Sequence, residues 1–362
     1  MNNAKHAFER MEFIRPKVVD DMPVCSRLLC PIYDETLSSW LARLVLGSFV
    51  DRAAIQEHIK AHFRGVSGDI DALVACESFT QPFEPFFSVH SASVFRLPDA
   101  PLLMFNSSVV YCPECLCGDV ANNQAPAWRR SWRIQGAAVC LRHESPVLLK
   151  RVQERRLNYV NKAWVAFEEY VGSPAMRLQV NFALSSTSSY VALAENRFLL
   201  RLVARTQQWL NLQLRQGNVS ELSFNSGRFL MYLWLWRDIS GGLINGFASQ
   251  YFRPFPVRRY RGRASQGIGV DAVFDEAEPI HLCVAYWLLG VAYGVISKHE
   301  ADLIRAMTRS TTWLFPVDRE EIAERGCIAM DKEAVMVVRN EAREQLCAEE
   351  LEQIVWALRI TT

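Results

Sequence analysis

Along the first third of the chain the apolar residues return with helical spacing. Leu37, Trp40, Leu41, Leu44 and Val45 fall at i, i+3, i+4, i+7 and i+8 and predict an amphipathic helix, with Asp34 and Glu35 placed ahead of it where acids favour the N-terminal dipole. Asp51 suits the cap of a second helix carrying Ile55, Ile59, His62 and Phe63 on one face; Gly65 and Gly68 break it, and Ile70, Leu73 and Val74 begin a third. Three short helices in this order predict a helix-turn-helix-like unit, a topology that serves DNA readers and protein-docking modules alike. Pro, Ser and Phe residues between Phe79 and Pro101 then predict an irregular packed connector. Beyond Leu149 the helical period resumes, as in Phe198, Leu199, Leu202 and Val203 and again in Phe229, Leu230, Leu233 and Trp234, with few alternating runs. Ser297 with Glu300 and Asp318 with Glu321 fit an N-cap followed by an acid at the third helical position, and Gly326 falls where a glycine would close the second of these helices.

Length and charge narrow the picture. At roughly 150 residues per domain, 362 residues suggest two or three units, and a chain that is 50% hydrophobic and 22% charged can bury a sizeable core. The net charge of +1 excludes a protein that is basic overall, so any contact with nucleic acid must be local. Ten cysteines are too sparse for a disulfide scaffold, and Met1 to Arg10 carries Lys5, His6, Glu9 and Arg10 where a secretory signal needs an apolar run, so a cytoplasmic location is expected. Pro279 to Ser297 is uncharged and just long enough for a membrane span. It stands alone and lacks a flanking cluster of basic residues, and Gly290 and Gly294 also permit close approach in a water-soluble bundle, so a buried helix is expected.

The chemistry concentrates in Cys112-Pro113-Glu114-Cys115 and, 24 intervening residues later, Cys140-Leu141-Arg142-His143. Each pair has the two-residue gap that lets both side chains reach one ion. Three thiolates and an imidazole are the donors zinc prefers, and four protein ligands leave no open position for water, so a single structural zinc is expected on Cys112, Cys115, Cys140 and His143. The alternative is that the cysteines are small buried hydrophobes and His143 a core residue. Cys117 could compete as a ligand or remain a free thiol. Between the half-sites Trp128 and Trp132 are spaced for one helical face and are expected to roof the metal, with Arg129, Arg130 and Arg133 on other faces. Bound zinc would replace the core that so short a segment lacks. The expected fold is mainly α, with an N-terminal helix-turn-helix-like unit, a small Cys3His zinc-binding module and a C-terminal helical bundle. The expected boundaries are 1–105, 106–150 and 151–362.

The run Cys30-Pro31-Ile32-Tyr33-Asp34-Glu35-Thr36-Leu37-Ser38-Ser39-Trp40-Leu41-Ala42-Arg43, followed in order by Cys112/Cys115, Trp128/Trp132 and Cys140/His143, resembles the TniQ family over about the first 150 residues. That resemblance implies a target-selection adaptor of cut-and-paste DNA transposons, linking a target-marking element to a TnsC-type AAA+ ATPase, with target DNA nearby. In CRISPR-associated transposons, members sit as a homodimer on Cascade with its guide RNA; larger TnsD-like relatives also belong to the family. Many members carry a second cysteine cluster soon after the first, whereas here no cysteine lies between Cys140 and Cys283, so one zinc per chain is expected.

Among the remaining features, Arg253, Arg258, Arg259, Arg261 and Arg263 are interleaved with Phe252, Phe255 and Tyr260, a composition suited to phosphates and bases. The acidic stretch Asp271 to Glu278 follows at once and could pair with them instead, leaving a solvated loop. Gly267-Ile268-Gly269 lacks the rest of a dinucleotide loop, the carboxylate pairs Glu168/Glu169 and Glu320/Glu321 are adjacent and diverge on a helix, and His58 with His62 has no third ligand nearby. No enzyme is expected. A non-enzymatic adaptor is the first expectation and a direct, sequence-specific DNA-binding protein the second; a metalloenzyme would need an open metal position.

Overall fold

A computed structural model describes residues 30–62, 69–81, 83, 94–98, 100–105, 108–154, 157–174, 182, 189–216, 222–235, 246–252, 270–308, 313–326 and 332–358. The fold is mainly α, with two very short antiparallel ribbons around the cysteine half-sites. Helix α1, Leu37–Leu46, and helix α2, Arg52–His62, lie where the apolar spacing puts them. Leu37, Trp40, Leu41 and Leu44 pack with Ile55, Ile59 and Phe79 in one core, where Trp40 meets Phe95 at 5.5 Å and Phe83 at 6.0 Å between ring centroids. Asp51 caps α2 through the Ala54 amide at 3.1 Å. The cap of α1 is Thr36, which accepts from the Ser39 amide. Asp34 and Glu35 do not cap the helix: the Asp34 carboxylate reaches Ser131 and Arg130, and that of Glu35 binds Ser39 and Arg43 of α1 and the Ile32 amide.

The third helix shrinks to a 3-10 segment, Ile70–Ala75, and a single turn, Glu77–Thr80 (α3). Local competition explains this. Asp69 accepts the Asp71 amide at 3.0 Å, and Asp71 accepts the Ser38 amide of α1 at 2.6 Å, so both carboxylates hold the backbone out of a regular helix. Both then turn inward onto Arg133, which is 1% exposed.

The cysteine segment is built from β1, Val110–Tyr111, helix α4, Pro113–Ala121, then β2, Val139–Cys140, β3, Val147–Leu148, and β4, Lys150–Arg151. β1 pairs with β4 and β2 with β3, two-residue ladders too short to register as alternation in the sequence. Helix α5, Lys162–Gly172, packs on α4, and its Ala163, Ala166 and Phe167 share a core with Cys112, Cys115, Cys140, Trp128 and Trp132.

The second half contains α6, Ser189–Gln216, α7, Phe224–Leu235, α8, Phe247–Gln250, α9, Val270–Glu276, α10, Pro279–Ala292, α11, Lys298–Met307, α12, Arg319–Arg325, α13, Lys332–Gln345, and α14, Ala348–Ile354. Helix α10 is the axis of this bundle. From Leu282 to Ala292 every residue is buried, because α6, α7 and α8 pack around it. Its Gly290 allows α6 to approach closely: a Cβ there would stand 2.6 Å from the Thr206 hydroxyl of α6. Among the described residues no helix is long and apolar enough to cross a membrane. The capping box of Ser297 and Glu300 is present, Asp318 caps α12 through the Glu321 amide, and Gly326 closes it.

Two buried charges give measurable consequences. Arg133→Met would leave Asp69 and Asp71 without their cation, and the expected loss is about 3–5 kcal/mol in denaturant unfolding. Lys162 is 2% exposed; its ammonium donates to the Phe105 carbonyl at 2.6 Å and faces the Phe105 and Trp128 rings at 4.0 and 4.5 Å. Burial pushes its pKa down to about 7, against the opposing pull of Asp71. Because the folded pKa lies below the unfolded one, the penalty is fully present below pH 7 and is relieved as pH rises from there towards about 10. Wild-type stability should therefore rise more steeply across that window than that of Lys162→Met, measured by denaturant titration at several pH values.

Candidate metal centre

The first two donors owe their placement to the start of α4. Cys112 occupies the N-cap position, Pro113 opens the helix without an amide to satisfy, and Cys115 comes round one turn later on the same side. The other two come from the β2–β3 hairpin. Cys140 ends β2, and the following turn brings His143 back over α4. The structure thus unites Cys112, Cys115, Cys140 and His143, with one donor atom from each lying within 4.8 Å of all the others.

The spacing matches a tetrahedral cation. Bonds of about 2.3 Å to sulfur place two sulfurs about 3.8 Å apart, and Cys115 Sγ and Cys140 Sγ are 3.8 Å apart. His143 Nε2 stands 3.2 Å from Cys112 Sγ and 3.3 Å from Cys115 Sγ. Its other nitrogen, Nδ1, faces Glu114 Oε2 at 3.6 Å, the carboxylate that would hold the ring and its tautomer in place behind a metal. The donor set fits a metal ion, and a closed set of four leaves no place for a reacting water.

Electrostatics agree with the geometry. The three cysteines are 0%, 7% and 3% exposed, and burial pushes the Cys112 thiol far above its ordinary value. Cys140 is held below the usual thiol range by hydrogen bonds from Cys112 and Cys115, with the Arg142 amide also donating to its sulfur. One thiolate can be stabilised here by its neighbours alone; three need a cation. Cys117 lies outside the group and is half-buried, its thiol pushed up by burial and by Glu114.

The tryptophans share the core of the site but not a helix. Arg130–Arg133 is a 3-10 turn, and Trp128 and Trp132 meet edge to face at 5.6 Å. The three arginines among them are ionic struts. Arg129 is 1% exposed and pairs with Asp119 at 2.5 Å. Arg130 pairs with Asp34 at 3.4 Å, and Arg133 binds Asp69 and Asp71. Ser131 donates to Asp34 from both its amide and its hydroxyl, and Trp128 donates its amide to the Ser39 hydroxyl. Only the unusual density of arginine between two half-sites could have signalled this.

Residues 86–146 match the family model described as TniQ, a span that holds all four donors. That segment is similar to a TniQ domain. It points to a role associated with DNA transposition, in a family that works alongside other transposition proteins. Searches of curated proteins and of solved structures return no match. The residues from Cys30 to Arg43 lie outside the matched span, yet Asp34 and Ser39 are bonded directly to it. His58 and His62 each bond a backbone carbonyl, and His58 stacks on Phe79 while His62 meets that ring edge to face, which makes them packing residues. Arg253, Arg258, Arg259, Arg261 and Arg263 lie outside the described residues.

Elemental analysis of protein purified without added metal should find close to one metal ion per chain. Cys140→Ser should lose most of it together with solubility. His143→Cys should keep it, since a fourth thiolate preserves a closed tetrahedron.

Proposed function

We propose that the chain is a non-enzymatic target-selection adaptor for DNA transposition, stiffened by one structural zinc ion on Cys112, Cys115, Cys140 and His143. The observation that carries this reading is the TniQ match over residues 86–146 with a complete donor set inside it. Thiolate and imidazole donors suit zinc, and the closed coordination gives the ion a structural task. The adaptor would work by presenting rigid surfaces: to a TnsC-type AAA+ ATPase on one side and to a marked target on the other, with RNA-guided Cascade and its guide RNA as one such mark. Affinity would then come from shape and buried anchors in the partners, and a homodimer would add avidity. The cytoplasm, where DNA and ATP meet, is the expected location. Boundaries at 105 and 150 would make the metal segment the middle of three units.

The competing possibility is direct reading of an attachment site, with the arginines from Arg253 to Arg263 on phosphates. The two separate by salt. As an adaptor, the purified chain should bind duplex DNA weakly and without sequence preference, while a TnsC-type AAA+ ATPase should bind it tightly in a zinc-dependent manner. Nanomolar binding of a defined duplex that falls steeply between about 50 and 200 mM salt would decide for the DNA reader.

A further inference from the structure

The hairpin that delivers Cys140 and His143 is gripped from behind by the C-terminal bundle. In an antiparallel ladder, alternate residues of an edge strand turn their amide and carbonyl away from the partner strand. On the β3 side, the Leu149 amide donates to the Ala138 carbonyl at 3.0 Å. On the opposite side, Val139 has no strand to pair with among the described residues. It meets Gln207 of α6, whose amide Nε2 donates to the Val139 carbonyl at 3.1 Å. Its Oε1 accepts from the Val139 and Ala138 amides at 3.2 and 2.9 Å. A carboxamide carries the same donor and acceptor as a peptide group, so Gln207 completes the ladder as a one-residue third strand.

The grip is buried and extends along the hairpin. Gln207 is 4% exposed, and Ala138 and Val139 are 0% and 2% exposed inside the core of the bundle itself. At the start of the hairpin Tyr286 of α10 donates to the Gly136 carbonyl at 3.0 Å. Gly136 has φ +79°, and a Cβ there would stand 3.3 Å from Phe274. At its end Arg151 donates to the carbonyls of Asp275 and Ala277. The residue after Val139 is the ligand Cys140, so any slip at Val139 displaces a metal-binding sulfur.

We propose that Gln207 is a positioning residue for the metal centre, and that metal binding and docking of the C-terminal bundle onto the hairpin are one coupled equilibrium. The proposal rests on the zinc reading above. Linkage makes it reciprocal: whatever factor the clasp adds to metal affinity, the metal adds to bundle docking. Removing a residue that orients a ligand from outside the coordination shell typically weakens metal binding about 10–100-fold, and Gln207→Leu should fall in that range.

The test is zinc affinity by competition with a chromogenic chelator. It would compare the wild-type chain, Gln207→Leu and Ile354→Ala, the last a buried change in α14, which packs on α7. The expected result is loss of affinity in Gln207→Leu with near wild-type affinity in Ile354→Ala. Unchanged affinity in folded Gln207→Leu, or equal loss in both variants, overturns the clasp while leaving the zinc reading intact. A native wild-type chain without metal overturns both. Should Gln207→Leu fail to fold, hydrogen exchange of the wild-type chain before and after chelation decides. Faster exchange should spread from the hairpin into α6 around Gln207 and spare α11. A response confined to residues 110–151 would refute the coupling.

Discussion

A guanidinium taken out of water must find a carboxylate, or its desolvation costs more than packing returns. That constraint binds the amino-terminal helices to the metal segment. Arg133 cannot be buried at 1% exposure without Asp69 and Asp71, and Asp71 in turn holds the start of α1 through the Ser38 amide. Arg43 of α1 and Glu35 form a second closed pair at 2.7 Å, with Ser39 and the Ile32 amide on the remaining oxygen positions. Asp34 sits at φ +64°, a conformation costly for a residue with a side chain, and its carboxylate is held by Ser131 and Arg130. Such pairs contribute modestly to net stability against an apolar alternative, but they accept one geometry only. A helix that could slide on an oily face is held in register.

The metal centre applies the same logic with other donors. Buried thiols resist ionisation, and a cation reverses that preference, so the ion and the fold around it are specified together. Its surroundings are layered: α4 and the hairpin provide donors, Glu114 stands behind His143, and Trp128 and Trp132 fill the core beside them. Lys162 lies at the seam, its ammonium spread over two aromatic faces and a carbonyl in place of a carboxylate. For the proposed adaptor, which would act by presenting surfaces, rigidity of this kind is the property that would bear the function. The Gln207 clasp would extend it into the second half of the chain.

The ordered donors Cys112, Cys115, Cys140 and His143 were legible in the chain because metal ligation demands particular atoms at particular local spacings. Helices α1, α2, α6 and α7 were legible because burial of a face imposes a helical period on neighbouring residues, and α10 because burial on every side demands an unbroken uncharged run. The caps at Ser297 and Asp318 follow from bonds spanning three residues. Tertiary structure alone decided which acid meets which arginine, that Ile70–Ala75 gives up α-helical form, that Trp128 and Trp132 meet without sharing a helix, and that Gln207 completes a strand 68 residues away. Those outcomes join positions far apart in the chain, where periodicity carries no information, and the energy of a buried polar group depends on a partner that local sequence does not name.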